Sequence, residues 1–156
     1  MVSSLTVALF FHLLGAFMLV SGTVLAAAAF ETARRRQSAA EIAALLSVSR
    51  IGAMLVGVGA LVVLAFGLWL IHLAGFSTST GWISWAFVLY IVAMALGGIG
   101  GRRPKEARLL ATRLAAERAP VTDELRGLLD DRASRVENYA SGVAVLVIFG
   151  LMVFKP

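Results

Sequence analysis

Apolar residues fall in four long blocks that charged residues do not enter. The first runs from about Leu5 to Phe30, the second from Ile51 to Phe76, the third from Gly81 to Gly100 and the fourth from Tyr139 to Phe154. At about 1.5 Å rise per residue the first three cross a hydrocarbon layer of ~30 Å, two of them with length left for tilt. The fourth, at roughly 24 Å, is short and must thin the bilayer or start deeper than its polar flank suggests. Amides surrounded by lipid have to be bonded within their own segment, so each block is predicted to be a helix. The expected fold is all-α: a single membrane domain over residues 1–156, a four-transmembrane-helix bundle with amphipathic cytoplasmic helices in its polar loops, 31–50 and 101–138.

Those loops hold thirteen of the fourteen basic residues and all nine acidic ones. The opposite side has only Ser3, Ser4, the "STST" turn at 77–80 and Lys155. The positive-inside bias therefore puts both termini outside and both charged loops in the cytoplasm of a bacterial inner membrane. Trp69, Trp82 and Trp85, near the outer ends of spans two and three, fit an interfacial belt. An N-terminus without a basic leader segment, followed by so long an apolar run, reads as a retained span.

Within 31–50, "SAAEIAALLS" has the form of a capping box, Ser38 as N-cap and Glu41 three residues on. Ile42, Leu45 and Leu46 share one face of a short helix that lies at the membrane surface or runs directly into span two. In 101–138, Pro104 is placed to open a helix through about Ala119, before Pro120 breaks it. Thr122 can cap a second, with Asp123 and Glu124 in its first turn and Leu125, Leu128 and Leu129 as its apolar stripe. Both read as interfacial helices with snorkelling arginines. "GRRPKEAR" could alternatively dock a partner.

Composition sharpens the membrane reading. The chain is 60% hydrophobic and has no cysteine, which excludes disulfides, thiolate metal sites and thiol catalysis. Its net charge of +5 would suggest nucleic acid in a soluble protein. The charges sit in loops that are only about four units positive overall, so anionic lipid at the cytoplasmic face accounts for them and nucleic acid is not implied. No carboxylate lies within a span, which leaves a proton relay or ion-coupled transporter nothing to run on. No Ser/His/Asp set is placed for hydrolysis, and no enzyme activity is expected.

The candidate chemistry rests on two histidines. At 100° per residue His12 shares a face with Gly15, Ala16, Leu19, Thr23, Ala26 and Ala27, small residues that permit close helix approach, so His12 should face the bundle. Tyr90 reaches a similar depth on span three and is its candidate partner, or a support behind a ligating His12. His72 lies nearer the surface on span two, about 150° from the mean direction of that span's glycines. Neutral imidazoles ligate haem iron, copper and zinc, so His12 and His72 are candidate cofactor ligands, with haem b as the candidate cofactor. No Met-x-x-Met or His-x-x-His pattern supports copper. Gly52, Gly59, Gly67 and Gly75 read as a packing seam on span two, and "ALGGIGG" at 95–101 as a place of close approach and helix termination, or a hinge.

The opening "LFFHLLGAFMLVSGTVL" and the four-span topology resemble bacterial four-helix integral membrane proteins grouped as a family of unknown function. Over residues 9–25 the first helix is also similar to the "LHxLGA…GG" helix of copper-resistance D-type membrane proteins, with Ser21-Gly22 where paired small residues stand. That resemblance implies metal or haem handling, carried over to His12 and less directly to His72. Two hypotheses result: a structural or accessory subunit of a larger membrane complex or homo-oligomer, and a haem- or metal-binding redox module. A permease lacks a polar pathway within one chain.

Overall fold

Ser3 opens the first helix by accepting a hydrogen bond from the Thr6 amide. The computed structural model describes residues 3–76 and 80–154. The "STST" turn apart from Thr80, and Lys155, lie outside them. Six helices follow in order: α1 (Ser4–Arg34), α2 (Ala39–Leu73), α3 (Gly81–Gly100), α4 (Arg102–Ala116), α5 (Asp123–Leu129) and α6 (Arg132–Phe154). The architecture is all-α among the described residues, with four helices long and apolar enough to cross a membrane.

Several helices outrun the apolar blocks that nucleate them. The 35 residues of α2 extend for about 52 Å, well beyond a hydrocarbon layer. Its first three turns therefore stand outside that layer, as a direct continuation of the apolar part. Ser38 occupies the N-cap position, but its side chain makes no cap bond. The expected capping box is not formed; Glu41 pairs instead with Arg36, at 3.6 Å. At the other end Gly75 takes φ +68 and closes α2 in a left-handed turn, with the Phe76 amide donating to the Ile71 carbonyl at 3.1 Å. Gly75 is thus a helix stop with open space around it, and the packing seam ends at Gly67.

Gly101 stays in the right-handed region, so α4 leaves α3 with almost no break. Pro104 sits in the first turn of α4, two residues later than an opening position, where its missing N–H is not needed. The helix stops at Ala116, ahead of both Ala119 and Pro120. Arg118 adopts φ 52 there, and the Ala119 amide donates to the Leu114 carbonyl at 2.9 Å. Thr122 caps α5 as its sequence suggests, accepting from the Leu125 amide. Asp131 caps α6 by accepting from the Ser134 amide at 2.8 Å, which starts that helix seven residues before Tyr139.

The helices pack as two antiparallel pairs, α1 with α2 and α3 with α6, while α4 and α5 fold against the projecting part of the first pair. Two cores result, and they differ in kind. The one between the pairs is built mainly from small residues: Ala60, Ala93 and Ala144 with Leu19 and Val145. The one in the charged head contains Ile42, Leu46, Leu114, Leu125 and Leu129. The three largest fully buried side chains among the described residues, Ile42, Leu125 and Leu129, all lie in this head. Water drives large apolar groups together there, whereas between helices in lipid only close contact remains to be gained. The apolar stripes of α4 and α5 are accordingly buried against α1 and α2. They are not spread on a membrane surface, although Leu109 remains 54% exposed.

Candidate functional site

The α1–α2 seam is built by glycines in pairs. A Cβ on Gly59 would stand 2.7 Å from the Gly15 carbonyl, and one on Gly52 2.7 Å from the Gly22 carbonyl. Main chains thus touch directly, which brings carbonyls within reach of short polar side chains. Ser49 uses this, donating to the Ala26 carbonyl at 3.0 Å.

His12 belongs to the same seam. Its Nδ1 lies 3.1 Å from the Val63 carbonyl. A carbonyl only accepts, so Nδ1 carries the proton and donates, which leaves Nε2 as the acceptor nitrogen. Gly67 makes the space: a Cβ there would come 3.1 Å from His12 Cε1 and 3.2 Å from Nδ1. Tyr90 reaches α2 from α3 and donates to the Ala60 carbonyl at 3.1 Å. His12 and Tyr90 are therefore not hydrogen-bonded to each other; each fastens its helix to α2, at carbonyls one turn apart.

His72 is placed elsewhere. It is exposed on the last turn of α2. From Gly67, which faces His12, it lies about 140° around the helix and roughly 7.5 Å along it. Haem held by two histidines needs both rings aimed into one space. The Nδ1 bond leaves His12 Nε2 its lone pair, but the two rings have no common face, so the pair does not fit a haem b held between them. Among the described residues no three His, Cys, Asp or Glu side chains are grouped to hold a metal ion.

The α3–α6 pair repeats the glycine-and-clamp arrangement: its glycines belong to the "ALGGIGG" segment read as a place of close approach, whereas its polar clamps were not singled out from sequence. Ser141 donates to the Ala93 carbonyl at 2.9 Å beside Gly97. Ser134, at 2.6 Å, and Asn138, at 2.9 Å, both donate to the Gly100 carbonyl. Close approach is thus the role of Gly97 and Gly100, while Gly98 faces open space. The signal was present: 134, 138 and 141 recur at helical spacing opposite "GGIG".

In the head, Arg126 of α5 donates to the carbonyls of Arg34 and Arg36 and to Gln37 Oε1, and so fastens the whole α1–α2 turn. Beside it, Tyr139 donates to Glu31 at 2.7 Å, Glu31 pairs with Arg34 at 2.7 Å, and Arg34 pairs with Asp130 at 2.7 Å. The chain of contacts joins α6, α1 and the end of α5. Between α4 and α5 an open groove of about 570 Å³ is lined by Leu109, Leu110, Leu128, Glu106, Glu124 and Asp131, among others.

The polar groups between the paired helices, from His12 to Ser141, share one use, which is to tie a side chain of one helix to the backbone of the next. No curated protein and no solved structure matches the chain. A family model described as "Predicted integral membrane protein (DUF2269)" matches residues 6–156, and the chain belongs to that family of integral membrane proteins.

Proposed function

We propose that this integral membrane protein is a structural or accessory subunit of a larger membrane complex or homo-oligomer. We place it in the bacterial inner membrane, with the charged head in the cytoplasm, both termini outside and anionic lipid around the head. The observation that carries this reading is the use made of the interhelical polar groups. His12, Ser49, Tyr90, Ser134, Asn138 and Ser141 all end on main-chain carbonyls of a neighbouring helix. Such bonds use up the donors that a polar substrate path would need. Meanwhile only 11–22% of each apolar window is buried within one chain, leaving broad helix faces for lipid or protein neighbours. Phe17, 70% exposed, and Leu61, 68% exposed, lie on such faces.

The alternative, a haem- or metal-binding redox module using His12 and His72, is separated by an optical spectrum and metal analysis of the purified protein. On the structural reading the preparation is colourless, and His12→Ala lowers the unfolding temperature without any spectral change. A Soret band lost in His12→Ala would overturn that reading. The assembly itself is tested by native mass spectrometry of protein extracted with its surrounding membrane; a single chain accompanied only by lipid would refute it.

A further inference from the structure

The cations of the head fall into paired and unpaired sets. Toward the far end Arg113 pairs with Glu117 at 3.0 Å and Arg36 with Glu41 at 3.6 Å, while Arg35 and Arg118 form no ion pair among the described residues. Arg126 is held by carbonyls. Close to the apolar segments Arg34 and Arg103 are paired, but four other cations are not. Arg50, immediately before the second apolar block, and Arg102, Lys105 and Arg108, after the third, form no ion pair and no side-chain hydrogen bond among the described residues. The one carboxylate in their stretch of α4, Glu106, is engaged by Arg103 at 3.3 Å.

Their placement is also one-sided. At 100° per residue, Arg102, Lys105 and Arg108 occupy a 120° sector of α4 that excludes its buried face, Ala107, Ala111 and Leu114. Arg108 is about 160° from Leu110, which lines the groove toward α5. Arg50 is about 160° from Gly52, which faces α1, and about 40° from Leu46 in the head core. All four thus lie on the flank turned away from α1 and α5, within about 12 Å of the ends of the apolar segments.

We propose that Arg50, Arg102, Lys105 and Arg108 form a collar that binds the phosphate of an anionic phospholipid. This rests on the reading of the chain as a membrane subunit surrounded by anionic lipid, and it assigns that lipid to one site. Uncompensated cations at headgroup depth are where phosphate resides, and the arginine fork matches phosphate geometry. Ion-paired cations further out gain little from it.

The test uses the full chain in nanodiscs of phosphatidylcholine with and without phosphatidylglycerol. Retained lipid is read by native mass spectrometry and unfolding temperature by circular dichroism. The wild type is expected to retain phosphatidylglycerol over phosphatidylcholine and to be stabilised by it. In the variant R50Q/R102Q/K105Q/R108Q the preference falls on the order of tenfold or more, and in R36Q/R113Q it is unchanged. If the quadruple variant does not fold, K105Q and R108Q alone, at an exposed and a half-buried position of α4, must each show a partial loss. Equal retention of both lipids by the wild type overturns the proposal. So does an equal loss in R36Q/R113Q, which would make net charge the cause. Displacement of the lipid by inorganic phosphate also overturns it, since the site would then serve a soluble anion. Nanodiscs present both leaflets, so a wrong orientation of the head would fail a labelling experiment without touching this result.

Discussion

Adding one methyl group at Gly52 should separate α1 from α2. In the native seam a Cβ at that position would lie 2.6 Å from the Ala26 amide nitrogen and 2.7 Å from the Gly22 carbonyl oxygen. Both obstacles are main chain, so no side-chain rotation relieves the clash. Reaching an ordinary contact of 3.4 Å requires the helices to part locally by about 0.8 Å. A gap of that size forfeits a quarter to a half of each dispersion contact along the seam. It also stretches the Ser49–Ala26 bond, now 3.0 Å, past a useful length. Overpacking of this kind costs about 1–3 kcal/mol, and an interhelical hydrogen bond in a membrane adds roughly 0.6–1.7 kcal/mol. Gly52→Ala is therefore expected to destabilise by about 2–4 kcal/mol. Gly57 supplies the control on the same helix, because a Cβ there meets nothing within 4 Å. Gly57→Ala should stabilise by about 0.5–1 kcal/mol, through helix propensity alone. Unfolding by sodium dodecyl sulfate in mixed micelles, followed by circular dichroism, measures both. If the two variants shift stability in the same direction, direct backbone contact is not what holds α1 to α2.

Three further outcomes follow from the head. Leu125, fully buried, should cost about 2–4 kcal/mol as Leu125→Ala, whereas Leu61→Ala on a lipid-facing surface should change micelle unfolding little. Arg126→Ala removes the donors that fasten residues 34–37, so limited trypsin digestion should cut after Arg35 or Arg36 markedly faster; unchanged digestion would show that the turn is held otherwise. Arg118 ends α4 at φ 52, a region that costs an L residue about 1–2 kcal/mol. Arg118→Gly should therefore raise the unfolding midpoint by the equivalent of about 1 kcal/mol, as calorimetry can record.

The helical character of the chain and its affinity for a membrane were legible without coordinates, because uncharged runs of this length have one way to satisfy their amides in lipid. The close-packing face of α2 at Gly52, Gly59 and Gly67 was legible too, as was the inward aim of His12, since helical period alone sorts residues onto faces. The depth of a residue and its presence on a face did not reveal its partner. His12 donates to the Val63 carbonyl and Tyr90 to Ala60, a choice made by how far the glycines let the helices approach. Gly75 had the spacing of the seam but ends its helix, a difference carried by φ and not by residue type. Ser134, Asn138 and Ser141 gained their role only when α6 came against α3. The head was the least readable part. A leucine stripe looks the same whether lipid or another helix will cover it, and Arg126 finds its acceptors about ninety residues away. Local chemistry determines which segments are helices and which faces are apolar; the pairing of those faces depends on contacts distant in sequence, and tertiary structure decides it.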